Sequence, residues 1–314
     1  MISETRSIQD IENKLRMKLK QSVADNSAQG MLFSGGLDTS ILAALCPNMI
    51  AINISLEDFS SDLKYAKQLE KELGLKVYYK QVTVKEAIDS IPEIIKILKS
   101  FDPAIPNDIT VYFGLKFAKE LGIKTIMAGD GSDEIFAGYS YMQGMENLEK
   151  YIAHIAENMY FSSNRLGEYW QIEIKQPFID KKFVDFALNQ VPVELKINKT
   201  NGVTWGKWIL RRSFEDTLSS NIIWQSKRPL EYGSGMTMLR NIISDKISDK
   251  EYIEKQKIYP VKFINKEHLY YYEIYREIVG AIPPPVKGEQ ICPSCQAGMK
   301  MGTSHCRICG GVKQ

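Results

Sequence analysis

The chain has 314 residues, 44% hydrophobic and 25% charged, ordinary proportions for one large α/β domain with an appendage or for two domains. Its 40 basic and 38 acidic residues leave a net charge of +2, too small to argue for nucleic acid or a membrane surface as partner. No run approaches the ~18–20 apolar residues that span a bilayer, and the opening MISETRSIQD lacks an apolar signal core, so the expectation is a cytoplasmic protein with no membrane partner.

In chain order, residues 5–24 read as an amphipathic helix with Ile8, Ile11, Leu15, Leu19 and Val23 on one face. The apolar Met31-Leu32-Phe33 then gives way to Ser34-Gly35-Gly36, and after Leu37-Asp38-Thr39-Ser40 an apolar helix follows. A strand, a tight turn and a helix start in succession suit an anion. Paired glycines let backbone N–H groups converge, and the helix end favours negative charge. Ser34, Thr39 and Ser40 add hydroxyl donors. Asp38 would repel phosphate unless a divalent cation lay between them, so magnesium is expected with the nucleotide. The plainer alternative is a Gly-Gly turn that only begins a helix. The string differs from both the Walker lysine loop and the dinucleotide G-x-G-x-x-G.

Further on, strands are expected at 49–56 and 77–84, and helices at 62–73 (ended by Gly74), 84–99 and 110–121. The stretch FDPAIPND between the last two reads as a Pro-rich loop. A strand at 125–128 leads into Ala128-Gly129-Asp130-Gly131-Ser132-Asp133-Glu134. Strands alternating with helices of this length imply an α/β, doubly wound, mostly parallel sheet, whose ligands sit beyond the carboxyl ends of the strands. Both Gly-rich turns fall there. Asp133 could share magnesium with Asp38, although a solvated turn capping a helix is the plainer reading of the second turn by itself.

The first loop resembles the signature of the ATP pyrophosphatase (PP-loop) family. With GDGSDEIFAGY about 90 residues later, it resembles the synthetase domain of the asparagine synthetase family, to which the β-lactam synthetases are related. Glu173–Asp180 (EIKQPFID) is similar to the family's E-x-R-x-P-F-L-D, and Lys207–Arg212 (KWILRR) to its K-Y-L-L-R-K. Lys227–Gly233 stands where the family has a lysine-bearing loop, and Asn265–Tyr272 is similar to its closing K-E-x-x-Y-Y. The resemblance covers roughly residues 25–280 and implies a PP-loop sheet with a helical second half. It implies ATP over Ser34, Gly35, Gly36, Leu37, Asp38, Thr39, Ser40, Ala128 and Gly129, with Mg2+ on Asp38 and Asp133. Lys227 would steady the α-phosphate. Asp130, in place of the family's glutamate, would be the base for an incoming amine. The implied reaction adenylates a small-molecule carboxylate such as aspartate, releases pyrophosphate and transfers ammonia. Glutamine-dependent members begin with a catalytic cysteine. This sequence begins Met1-Ile2, so free ammonia or a separate amidotransferase subunit is expected as the nitrogen source.

Residues 1–24 thus form an N-terminal helix and 25–280 the ATP-binding domain. The Pro-rich 281–290 reads as a stiff linker. In 291–314, Cys292-x-x-Cys295 and Cys306-x-x-Cys309 have the spacing of a zinc ribbon, with iron the lesser alternative. So short a module has no core of its own, and metal must supply its folding energy. On such a tether the ribbon is expected to display a surface to a macromolecule, either the amidotransferase subunit or another partner. Cys46 reads as a packing residue, and His154, His268 and His305 receive no role. Two other classes fit less well: a PP-loop enzyme that adenylates tRNA or a protein, and a degenerate module that only binds.

Overall fold

Ile50–Leu56 (IAINISL) puts Ile50, Ile52, Ile54 and Leu56 on one face and Ala51, Asn53 and Ser55 on the other, and all of it but its first residue is buried. A strand of that kind belongs inside a parallel sheet covered on both sides. In the computed structural model, which describes the backbone of residues 2–313 and the side chains of residues 7–313, it is β2 of a five-stranded sheet. The others are β1 (Gly30–Leu32), β3 (Lys76–Val82), β4 (Thr125–Met127) and β5 (Glu173–Lys175). The order is β3-β2-β1-β4-β5, and every pairing is parallel. The α/β doubly wound expectation therefore holds. Met1 and Gln314, the outer limits of the first and last expected segments, lie outside the described residues.

Helices cover both faces. α1 (Ile2–Asp25), α2 (Leu37–Leu45) and α3 (Leu63–Leu73) pack on one side, where Leu15, Leu19, Ile41, Leu42 and Leu69 are fully buried. α4 (Val84–Leu98) and α5 (Ile105–Glu120) cover the other with Ile94, Ile95, Ile109 and Leu115. α3 stops where Gly74 takes φ +64°, a left-handed position that suits glycine. α4 starts on a reciprocal cap between Thr83 and Glu86. α5 begins earlier than its pattern predicts, at Ile105 inside the expected loop. Pro106 sits in its first turn, where a missing N–H costs nothing, so this proline starts the helix instead of blocking it.

The second half is mostly helical, as the resemblance implies. A short α6 (Ser132–Ile135) is followed by α7 (Leu148–Asn158), α8 (Ser162–Trp170) and further helices to Lys266–Ile278. Asp180 caps Lys181–Asn189 through the N–H groups of Lys182 and Phe183, and Glu267 is buried against Arg240 and Tyr271. Both of these motif residues hold the structure together and stand apart from the cleft described below. Among the described residues no helix is long and apolar enough to cross a membrane.

Candidate functional site

The chain winds outward from β1 to β3 and then returns to β4 on the other side of β1. The carboxyl ends of β1 and β4 therefore lie side by side where the winding reverses, the place where open α/β sheets bind ligands. A cleft of about 210 Å³ opens there. Ser34, Gly36, Leu37, Asp38, Thr39, Ala128, Gly129, Asp130, Asp133 and Lys227 all line it.

The first loop is shaped by its own hydroxyls. Gly36 N–H donates to Ser34 Oγ (3.1 Å), and Ser34 and Thr39 hydroxyls lie 3.1 Å apart. Gly35 has φ +79°, and a Cβ there would stand 2.7 Å from the Ala66 backbone nitrogen. It allows α3 to approach and is not among the cleft-lining residues. Ser40 is fully buried, and its hydroxyl donates to the Gly36 carbonyl at 2.7 Å. That hydroxyl holds the turn and does not reach the cleft.

Asp38 and Asp133 come together across the two strand ends, and a residue that the sequence reading left without a role joins them. Lys207, 2% exposed, places Nζ 2.7 Å from Asp38 Oδ2 and 2.8 Å from Asp133 Oδ1. Lys227 reaches Asp133 Oδ2 at 2.5 Å. Burial by itself pushes the Asp133 carboxyl up, but the two ammonium groups beside it, Lys207 first, hold it down at about 2. Burial likewise works against the Lys227 charge, yet Asp133 and Asp38 raise its pKa overall.

The carboxylate pair has the donor set that magnesium takes: one or two carboxylates, with remaining positions left for water and phosphate. Asp133 Oδ1 is buried and, although near Lys207, has no hydrogen bond of good geometry. Two carboxylates from neighbouring strand ends that already converge on one ammonium can converge likewise on a divalent cation.

Asp130 lines the cleft, but its Oδ2 accepts from Ser163 Oγ (2.7 Å) and Gln176 Nε2 (2.8 Å). Burial raises its pKa, more than those two hydrogen bonds lower it. Its Oδ2 is thus engaged by the protein's own donors.

The segment carrying Lys227 is tied back to the first loop. Gln225 Nε2 donates to the Gly35 carbonyl (3.2 Å), and Arg228 pairs with Asp62 at 2.7 Å. The buried Arg211 donates to the carbonyls of Ile223 and Gln225. These contacts join residues far apart in sequence, and the motif matches gave no hint of them. The exception is Arg211, which lies in the same KWILRR string as Lys207.

The four C-terminal cysteines form the second centre. Their sulphurs all lie within 4.8 Å of one another and are buried. Cys292–Cys309 and Cys295–Cys306 approach to 3.6 and 3.8 Å. A tetrahedral ion with metal–sulphur bonds of ~2.3 Å would space its ligands by roughly 3.8 Å, so one such ion fits. Backbone N–H groups of Ser294 and Gly311 point at Cys292 and Cys309 sulphurs. The ribbon also packs on the main body. Phe101 N–H donates to the Ile308 carbonyl (2.7 Å), Lys262 N–H to the Ser294 carbonyl (2.8 Å), and the cysteines share a core with Phe101, Tyr272 and Tyr275. One face of the ribbon is therefore buried against the main body. Its hairpin begins inside the expected linker, at Glu289.

The sequence model of the asparagine synthase family matches residues 13–164 and 148–281. Among curated relatives, asparagine synthetase (glutamine-hydrolyzing) 2 of Lotus japonicus is 28% identical over 276 residues, 79% of this chain and 47% of that protein. Asparagine synthetase B (glutamine-hydrolyzing) of Escherichia coli K12 is 29% identical over 300 residues, 85% of this chain and 54% of the relative. The chain spans about half the length of the curated relatives it matches. Among solved structures, the U34-tRNA thiolase NcsA of Methanococcus maripaludis with its 4Fe-4S cluster aligns with a TM-score of 0.36 at 13% identity, over 98% of this chain and 89% of that one.

Proposed function

The chain belongs to the asparagine synthase family, and from that premise we propose that it is an ATP-dependent, AMP-forming carbon–nitrogen ligase. The observation that carries this reading is the convergence of Asp38 and Asp133, from two neighbouring strand ends, on shared cationic charge beside a glycine-rich loop.

ATP phosphates would lie over Ser34–Thr39, with Ala128 and Gly129 forming the facing wall. A Cβ at Gly129 would stand 3.2 Å from that of Asp38, so the glycine keeps the two loops close. Asp38 and Asp133 would hold Mg2+, which supplies charge neutralisation at the phosphates when bound. A carboxylate oxygen of the acyl substrate attacks the α-phosphorus, and pyrophosphate leaves with the electron pair of the broken P–O bond. Negative charge grows on the α-phosphate oxygens in that step. Lys227, fixed by Asp133, is a preorganised cation at that place and would favour the transition state over the ground state. Lys207 would neutralise the carboxylates when the cleft is empty and move toward phosphate when it fills. A nitrogen nucleophile then attacks the acyl carbon, and AMP departs. Asp130, with its raised pKa, is the proposed acceptor of the nitrogen's proton. An aspartate-like acid is the proposed acyl substrate, with ammonia, free or from a separate amidotransferase subunit, as nitrogen donor. Zn2+ on Cys292, Cys295, Cys306 and Cys309 is proposed as structural, since four thiolates leave no open position.

The test is a screen for pyrophosphate release over carboxylic acids with ammonia and Mg2+, with aspartate first. Release that depends on one acid supports the ligase. No release with any acid in metal-replete protein would remove it.

A further inference from the structure

A second cavity, of about 820 Å³, lies behind the cleft. Adjacent residues of two segments face opposite sides. Asp133, Gly138 and Ser163 line the cleft, whereas Glu134, Tyr139 and Ser162 line the cavity. The outer wall is the ribbon, from Thr303 to His305 with Arg307. It is fastened there by His154 Nε2 to the Gly302 carbonyl (2.6 Å), by Lys300 to Asn158 (2.7 Å) and by His305 to Asp102 (3.2 Å). The family match ends at residue 281, so this wall belongs to a part of the chain beyond it.

The interior is aromatic at one end. Tyr139 and Tyr141 stack at 5.4 Å and 11°, and Tyr151 meets Tyr141 edge-on. It also holds one buried acid. Asp108 is 7% exposed, and its Oδ1 accepts from Ser162 Oγ at 2.5 Å. Among the described residues, its other oxygen has no hydrogen-bond donor. The two basic side chains on the ribbon wall are already engaged, His305 by Asp102 and Arg307 by the Tyr160 ring at 4.4 Å. The neighbouring Ser163 donates to Asp130 in the cleft, so one serine pair links the carboxylates of the two chambers.

Ammonia alone would leave such a volume empty, since pockets of about 300–1,000 Å³ hold whole organic ligands. A buried carboxylate with a free oxygen repels acids and attracts an ammonium, and the tyrosine rings offer contact area to an apolar body. We propose that this ribbon-walled cavity binds an organic primary amine with an apolar body, its ammonium on Asp108 and its body against Tyr139, Tyr141 and Tyr151, as a nitrogen donor for the ligase. The donor role rests on the ligase reading; the binding site does not. In the transfer, the ammonium gives one proton to Asp108. Its nitrogen then bonds to the acyl carbon as the bond from that carbon to the AMP oxygen breaks. AMP leaves with the electron pair, and the second proton goes to Asp130.

Tyramine is the probe, titrated into the metal-loaded full chain without ATP, with 3-(4-hydroxyphenyl)propionate as the acid of the same shape. Expected are saturable one-site tyramine binding, at least tenfold weaker acid binding, and a tenfold or greater loss in Asp108→Asn. Ser304→Trp, which fills the cavity from the ribbon side, should abolish tyramine binding while the metal content is unchanged. Absent tyramine binding, acid binding as tight as amine, or unaltered binding in Ser304→Trp would each overturn the site. Because no turnover is measured, failure of the ligase reading would leave this result standing. If pyrophosphate release is seen with ammonia but no N-acyl tyramine forms, the donor role is overturned by itself.

Discussion

Lys207 meets Asp133 at 2.8 Å in a space that exists only because residue 138 has no side chain. A Cβ on Gly138 would stand 2.0 Å from Asp133 Oδ1 and 2.3 Å from Lys207 Cε. Gly138 lines the cleft and sets the distance between the carboxylate and its cation.

Gly138→Ala should therefore damage the site. A single methyl has to displace Asp133 or Lys207, and displacements of about 1 Å commonly cost ~100-fold in rate. Turnover is expected to fall by that order while the circular dichroism spectrum stays native. Wild-type turnover would show that the carboxylate and lysine positions do not matter.

The two lysines should fail differently. Lys207→Met leaves Asp38 and Asp133 with an uncompensated buried charge, which typically costs ~3–5 kcal/mol. Without magnesium its Tm should drop, and millimolar Mg2+ should restore most of the loss while barely moving wild type. An equal response in both proteins would contradict a metal on this pair. Lys227→Ala should instead lower turnover by roughly 3–4 kcal/mol of barrier with little change in the KM for ATP.

Asp108 gives a pH signature. Burial raises its carboxyl from 3.8 to about 7. Between those values the unfolded chain releases a proton that the folded chain keeps. Folding stability therefore falls as pH rises through that window and levels off above it. Asp108→Asn lacks this loss, so its stability relative to wild type should grow by as much as about 4 kcal/mol from pH 4 to pH 8. Urea titrations at both pH values measure it, and a pH-independent difference would place the carboxyl in contact with solvent.

The ribbon should behave as part of the main core. Its cysteines pack with Phe101, Tyr272 and Tyr275, so Cys306→Ser should lose about one metal ion per chain and lower the single thermal transition of the whole protein. An early, separate ribbon transition with the main Tm unchanged would refute this.

The positions of these groups were unequally visible in the sequence. Asp38 and Asp133 follow glycine-rich turns after apolar runs, and strand–turn–helix patterning placed both at strand ends. Lys207 could not be found that way. It precedes a helix with φ +56°, a left-handed position that nothing in KWILRR announces, and only tertiary packing turns its chain inward. Ser40 looked like a phosphate donor because its hydroxyl is of the right kind, but the Gly36 carbonyl four residues earlier claims it. The triple proline suggested separation, whereas the docking of Ile308 on Phe101 depends on residues about 200 positions apart.

Adenylation requires a carboxylate oxygen to attack the α-phosphorus in the cleft held by Asp38, Asp133 and Lys227. The most direct measurement uses the acid that supports pyrophosphate release, labelled with 18O in its carboxylate, and mass analysis of the nucleotide product. One 18O atom transferred to AMP is the expected result. Unlabelled AMP, or ADP with labelled inorganic phosphate, would contradict adenylation at this site.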